Sequence, residues 1–242
     1  MNATEFKLEF SASCEEKQGI PVVIVAAGSS SRMKGIDKQF ATLLGIPLLA
    51  RTLTAFEKSQ YISSIVVVTQ KNKIEDIKHL AEKYMISKLY NVVQGGDCRE
   101  QSVEKGLAAL PENTKKALVH DGARPLVSQE IIKNTVIALE GNDCVACGVK
   151  VKDTIKKVDE DGYCIETVDR KNLISIQTPQ GVNVAKFLEI ATKTDLNQFT
   201  DDTSVMEFAG IKTKLVDGDY KNIKVTTPED ITLATAYLEG EF

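Results

Sequence analysis

The chain has 242 residues, 43% of them hydrophobic and 26% charged, with no tryptophan and a formal net charge of −4. That composition suits an ordinary globule large enough for a real core, and it gives no electrostatic footprint for nucleic acid. The longest apolar runs, residues 21–27 and 65–68, are far shorter than the roughly 20 residues of a membrane-spanning helix, so no membrane partner is expected.

At the amino terminus, Phe6, Leu8 and Phe10 alternate with Glu5, Lys7 and Glu9, without the apolar core of a signal peptide. Residues 1–19 therefore read as a loosely attached extension of one domain running over 1–242. Five cysteines, an odd number without an export signal, fit a reducing cytoplasm better than a disulfide framework.

Beyond the extension, short β-branched runs at 22–26, 62–69, 89–93, 117–120, 144–149 and 211–216 predict strands. Between them, residues 48–58, 73–84, 99–110 and 129–139 space their apolar side chains three or four apart, as helices lying on a sheet do. Thr227 followed by Pro228 opens a last helix with a capping residue and a first-turn proline. The alternation predicts an α/β fold: a doubly wound, mostly parallel, Rossmann-like sheet with helices on both faces. Residues 150–171 break the rhythm. They alternate polar and apolar around Asp159-Glu160-Asp161-Gly162 and predict a β-hairpin arm projecting from the main sheet.

Cys144 and Cys147 form a lone CxxC. A zinc site needs two further ligands, and His79 and His120 are the only histidines. The pair lies in an apolar run and reads as core.

The first strand runs directly into Ala26-Ala27-Gly28-Ser29-Ser30-Ser31, followed by Arg32 and Lys38. Small side chains let backbone N–H groups approach phosphate oxygens, and the two cations supply opposing charge. Neither GxxxxGK[ST] nor GxGxxG is present, and the second strand ends in Thr69-Gln70 rather than in the acidic residue that binds a ribose. A dinucleotide-dependent oxidoreductase is therefore disfavoured.

AAGSSSRM followed by Lys38-Gln39 resembles the loop of the sugar-phosphate nucleotidyltransferases. In chain order come QGGDCREQSV from Gln94, VHDGARPLV from Val119, VKDTIK from Val151, ETVDRKNLISIQTPQG from Glu166, FTDDTSVMEFAG from Phe199 and NIKVTTPEDI from Asn222. Together they resemble the 2-C-methyl-D-erythritol 4-phosphate cytidylyltransferase family of the non-mevalonate isoprenoid pathway. The resemblance covers nearly all of residues 21–238. It implies transfer of a cytidylyl group from CTP to methylerythritol phosphate, with Mg²⁺ or another divalent cation bound mainly through the CTP phosphates and Asp121 as a candidate ligand.

The same resemblance implies roles for individual residues. Ala26, Ala27, Gly28, Gly95, Gly96, Asp97, Ser102 and Asp121 would bind the nucleotide, with Gly95, Gly96, Asp97 and Ser102 recognising cytosine and ribose. Asp121, Arg124, Thr154, Arg170, Thr178, Thr200 and Lys224 would bind the second substrate. Arg32, Lys38, Arg170 and Lys224 would be the catalytic set. The hairpin arm would reach across a homodimer and place Thr154 and Arg170 in the partner's site. Bland readings stand beside these, since Asp121-Gly122 and Gly95-Gly96 also suit tight turns and charges on an exposed hairpin are usually only solvated. His120 reads as a strand end, and Asp201 and Asp202 as helix caps. One departure is Asp37, where the family commonly has proline before the loop lysine.

Two rivals remain: a cytidylyltransferase for another polyol phosphate such as ribitol 5-phosphate, and a non-catalytic nucleotide-binding regulator on the same scaffold. The AAG, DGARP and TVDR segments favour methylerythritol phosphate over the first. Arg32, Lys38, Asp121 and Lys224 argue against the second.

Overall fold

The computed structural model describes residues 19–28 and 41–240. Arg32, Asp37 and Lys38 lie outside the described residues, as does the extension up to residue 18.

In chain order the described elements are β1 (Ile20–Val25), β2 (Thr42–Leu43), β3 (Ile46–Pro47), α1 (Leu48–Glu57), β4 (Ile62–Thr69), α2 (Ile74–Lys83) and β5 (Leu89–Gln94). There follow α3 (Arg99–Ala108), β6 (Lys116–Asp121), α4 (Gln129–Glu140), β7 (Cys144–Lys150), β8 (Ile155–Val158) and β9 (Cys164–Val168). The chain closes with β10 (Ile174–Asn183), α5 (Val184–Ala191), α6 (Asp202–Phe208), β11 (Lys214–Asp217) and α7 (Pro228–Glu239).

Seven strands form one sheet in the order β11-β7-β10-β6-β1-β4-β5. β1 lies parallel between β4 and β6, while β10 runs antiparallel to both β6 and β7. The sheet is buried on two sides because its strands carry apolar residues on both faces. Val22 and Ile24 of β1 pack with α1, α2 and α4, whereas Val23 packs with α3, α5 and α6. Both faces of the sheet are thus covered by helices, as the alternation predicts.

Cys144 and Cys147 divide between the two cores in the same way. Three residues apart on a strand, their side chains leave opposite faces, so Cys144 joins one apolar cluster and Cys147 the other. Burial pushes both thiols up to about 12. They are core residues.

Several elements differ from the sequence-based expectation: β2, β3 and α5 were not anticipated, and β10 and β11 depart from it in ways that have a physical reason. β10 was not anticipated, because Gln177, Pro179, Gln180 and Gly181 interrupt what would otherwise read as a strand. Proline is excluded from a central ladder by its missing N–H, and Pro179 falls in the register shift between Ile176 and Gln180, where no ladder bond is formed. The edge strand expected over 211–216 begins only at Lys214. Ile211 instead closes the end of α6, its N–H donating to Met206 O at 3.2 Å.

The crossing of α3 over β1 and β4 depends on one missing side chain. A Cβ at Gly106 would lie 2.4 Å from Val23 Cγ1 and 2.7 Å from Val68 Cγ2, both in the packed interior. Gly106→Ala gains about 1 kcal/mol of helix propensity but overpacks the core at a cost of about 1–3 kcal/mol. We expect net destabilisation in urea unfolding; an equal or raised midpoint would show that α3 can lift without penalty.

Candidate active site

The site lies at the carboxyl ends of β1 and β6, where the chain order reverses across the sheet and where open α/β sheets bind ligands. The Ala26 N–H donates to Val68 O at 2.7 Å and the Gly122 N–H to Val25 O at 2.9 Å, after which the two chains part. The opening between them is a cavity of about 490 Å³ lined by Ala26, Ala27, Gly28, Gly96, Asp97, Ser102, Asp121 and Lys224.

Its floor is a tight turn between β5 and α3. A Cβ at Gly95 would fall 2.6 Å from Ala27 Cβ and 2.7 Å from Ser102 Oγ, so only glycine allows this approach. Ser102, buried, accepts from the Gly96 N–H at 3.0 Å and donates to Cys98 O at 2.9 Å. The Asp97 N–H donates to Gln101 Oε1 at 2.9 Å. Ser102 therefore shapes the turn, and Gly95 stands just behind the lining.

Against this cavity stands a second, of about 640 Å³, lined in part by Arg124, Gln177, Thr178, Thr200 and Ser204. The two share Arg99, Asp121 and Lys224. Asp121 is the centre of that wall: Oδ2 lies 3.0 Å from Lys224 Nζ and 3.3 Å from Arg124 Nε, and Oδ1 lies 3.4 Å from Arg99 Nε. Burial opposes the charge, but Arg99, Lys224 and Arg124 outweigh it and hold the carboxyl well below the usual carboxylate range. Arg99 in turn grips Asp202 through both terminal nitrogens, at 2.8 and 2.9 Å. The surrounding carboxylates of Asp202, Asp121 and Glu100 overcome the cost of burial and keep its guanidinium charged.

The backbone at Asp121 is fixed from behind. Its N–H donates to Thr178 Oγ1 at 3.0 Å, and that hydroxyl lies 3.1 Å from His120 Nδ1. The other ring nitrogen, Nε2, lies 3.2 Å from Arg124 O, a carbonyl that can only accept. Nε2 must therefore carry the proton of a neutral ring, and Nδ1 accepts from Thr178. Burial lowers His120 to about 3.

The residues expected around a second substrate thus divide. Asp121, Arg124, Thr178, Thr200 and Lys224 meet at the second cavity, with the Thr178 hydroxyl already engaged on Asp121 and His120. Thr154 and Arg170 lie at the base of the exposed arm and line neither cavity of their own chain. Arg170 donates to Lys152 O.

A family model described as 2-C-methyl-D-erythritol 4-phosphate cytidylyltransferase matches residues 20–240. The chain belongs to the 2-C-methyl-D-erythritol 4-phosphate cytidylyltransferase family. Among curated members it is 40% identical over 223 residues to the enzyme of Caldanaerobacter subterraneus subsp. tengcongensis, covering 90% of this chain and 98% of that one. It is 41% identical over 222 residues to the enzyme of Clostridium novyi, covering 90% and 96%. A solved 4-diphosphocytidyl-2C-methyl-D-erythritol synthase from Anaerococcus prevotii superposes with a TM-score of 0.81 at 35% identity, covering 92% of this chain and 96% of that one. The Thermus thermophilus cytidylyltransferase structure gives 0.73 at 27% identity, covering 91% and 99%.

Within this cytidylyltransferase fold, sequence reasoning missed Arg99 and misplaced Asp202. Only Asp201 caps α6, accepting from the Ser204 N–H at 2.9 Å. Asp202, fully buried, is the partner of Arg99. The available signal was the acidic doublet itself, since a cap needs one carboxylate.

The neutral His120 generates a pH prediction. Its folded value near 3 lies below the ordinary 6.5, so over that window the unfolded chain binds the extra proton and stability falls as pH is lowered from about 6.5 towards 3. The slope reaches at most about 1.4 kcal/mol per pH unit. Asp121, lowered from 3.8, adds its own loss only at more acid pH. Between pH 6.5 and 4.5, His120→Gln should flatten the dependence of the unfolding free energy on pH relative to wild type. Parallel slopes would mean that the ring is not held neutral.

Proposed function

We propose that the chain transfers the cytidylyl group of CTP to 2-C-methyl-D-erythritol 4-phosphate, giving 4-diphosphocytidyl-2-C-methyl-D-erythritol and pyrophosphate, as the names of its relatives indicate. The observation that carries this reading is the pair of cavities meeting at one charged wall. The cavity beside Ala26, Ala27 and Gly28 takes CTP, and its Gly95–Asp97 turn faces cytosine and ribose. The cavity beside Arg124, Thr200 and Lys224 takes the polyol phosphate.

The attacking oxygen belongs to the substrate phosphate and the leaving group is pyrophosphate, so no protein nucleophile is needed. What the protein must do is hold two polyanions in line against their repulsion. Lys224 presents an ammonium with three donors on both cavities; it meets Asp121 and also serves the attacking phosphate. Arg32 and Lys38, which follow β1 in sequence, neutralise charge developing at the α-phosphorus and on pyrophosphate.

Among the described residues no group of three or more His, Cys, Asp or Glu side chains could hold a metal ion. This donor set fits Mg²⁺ carried by nucleotide phosphates, with Asp121 as the carboxylate on the wall common to both cavities. When bound, the ion supplies further neutralisation of the phosphates.

The arm supports a homodimer with shared sites. Among the described residues β8 and β9 pair only with each other, and Val158 and Ile165 on them, with Tyr163 just before β9, are more than half exposed, which is apolar surface suited to a second copy. In such a dimer Thr154 and Arg170 reach the partner's second cavity. The free thiols and the absence, among the described residues, of any helix long and apolar enough to cross a membrane support a cytoplasmic location.

Lys224→Ala should lower kcat/KM for the polyol phosphate by on the order of 10² in a pyrophosphate-release assay, with ribitol 5-phosphate as the competing acceptor. A rate near wild type would remove Lys224 from the reaction, and a preference for ribitol phosphate would overturn the substrate.

Subunit mixing tests the arm. Co-assembling Lys38→Ala chains with Arg170→Ala chains leaves one site per heterodimer with both residues intact if Arg170 acts across the dimer, so activity should reappear. If Arg170 acts within its own chain, no mixture recovers activity although subunits exchange.

A further inference from the structure

We propose that Arg99 is a positioning residue for this reaction: by forking onto Asp202 while facing Asp121, it locks the two cavities into a single reactive geometry. The inference rests on the reading of the cavities given above. Arg99 is the first residue of α3 and directly follows the Gly95–Cys98 turn that floors the nucleotide cavity. Asp202 is the first residue of α6 and directly follows Thr200 and Asp201, which line the other. The two are 103 residues apart in sequence, and their bidentate pair is a direct tie between the two helix starts.

The tie sits in a satisfied network. The Asp202 N–H donates to Gln180 Oε1 at 3.0 Å, and Gln180 Nε2 donates to Asp201 Oδ2 at 3.0 Å. Gln180 is buried on β10, so the sheet itself sets where α6 begins. A buried ion pair alone says little about function, because an apolar pair often holds a fold as well. This pair is different in where its third nitrogen goes. Arg99 Nε faces Asp121 Oδ1 at 3.4 Å, on the wall common to both cavities. With Nε and both terminal nitrogens turned to carboxylates, Arg99 acts through the groups it holds.

Lysine keeps the charge but cannot supply the fork. In Arg99→Lys, α3 and α6 should stay folded while the two reactants lose alignment, so kcat should fall about 10- to 100-fold with both KM values within about threefold of wild type. Asp202→Asn, close in shape, should do the same. If the pair acts as a unit, the double variant is no slower than the slower single within about threefold. A raised KM with unchanged kcat would make Arg99 a substrate contact instead. Multiplied losses in the double variant, full activity per folded molecule, or failure of both single variants to fold would each overturn the proposal. Lys224→Ala run in parallel separates the two levels: normal activity there sinks the cavity reading, whereas impairment there with normal Arg99→Lys sinks only this inference.

Discussion

The arrangement depends on a carboxylate that water hardly reaches. Asp121 ends the central strand β6 with its side chain 8% exposed, and an isolated charge there would cost several kcal/mol or simply take up a proton. It stays ionised because three cations converge on it from separate parts of the chain: Arg99 from the start of α3, Arg124 from the turn beyond β6, and Lys224 from the segment before α7. Closing that cluster requires the sheet order, the crossing of α3 and the return of the chain after β11. The last of these is tied by the Val225 N–H, which donates to Ala123 O at 2.8 Å, and by Arg124, which donates to Asn222 O at 2.8 Å.

The same carboxylate answers a problem on the other side of the balance. A site for two phosphorylated reactants needs several cations close together, and without a ligand these would repel one another. Asp121 and Asp202 neutralise the cluster in advance, so the positive groups are held in place before a polyanion arrives. Preorganised charge of this kind does not have to be assembled during the reaction. The small residues complete the arrangement by bringing backbone to the ligand: Ala27 approaches Gly95 so closely that no side chain fits between them.

Much of this was legible in the sequence, and the reasons for the gaps are specific. β1, β4 and β7 announce themselves because a strand buried on both faces is a run of apolar residues. β10 is buried too, but its middle spends polar side chains on long-range bonds, such as Gln177 Nε2 to Asp219 O at 2.8 Å and Gln180 to Asp201. Polarity there reports neighbours that a linear pattern cannot name. Arg99 failed for the same reason, since a cation opening a helix looks solvated until its acidic partner is found 103 residues later. Gly95 and Gly96 after β5, the capped start of α7 and Arg124 three residues after Asp121 were local enough to read. Thr178, expected beside the second substrate, lines the second cavity, and its hydroxyl also bonds to Asp121 and His120.

That engagement explains why a histidine stands beside the central carboxylate without taking part in proton chemistry. The Arg124 N–H donates to Asp121 O at 3.0 Å, closing the turn, and Arg124 O receives the His120 Nε2–H. His120 Nδ1 takes the Thr178 hydroxyl, and Thr178 receives the Asp121 N–H. The bonds form a closed ring in which every donor has one acceptor and each link fixes the direction of the next. A proton added to Nδ1 would set a donor against the hydroxyl's own hydrogen, which would have to rotate away and lose its acceptor. Keeping the ring neutral therefore preserves the direction of these bonds, and packing of His120 against Phe56, with ring centroids 4.8 Å apart, supplies the dry environment that does so. The histidine next to Asp121 in sequence is thus a scaffold, and the charges at the cavity wall are those of Asp121, Arg99, Arg124 and Lys224.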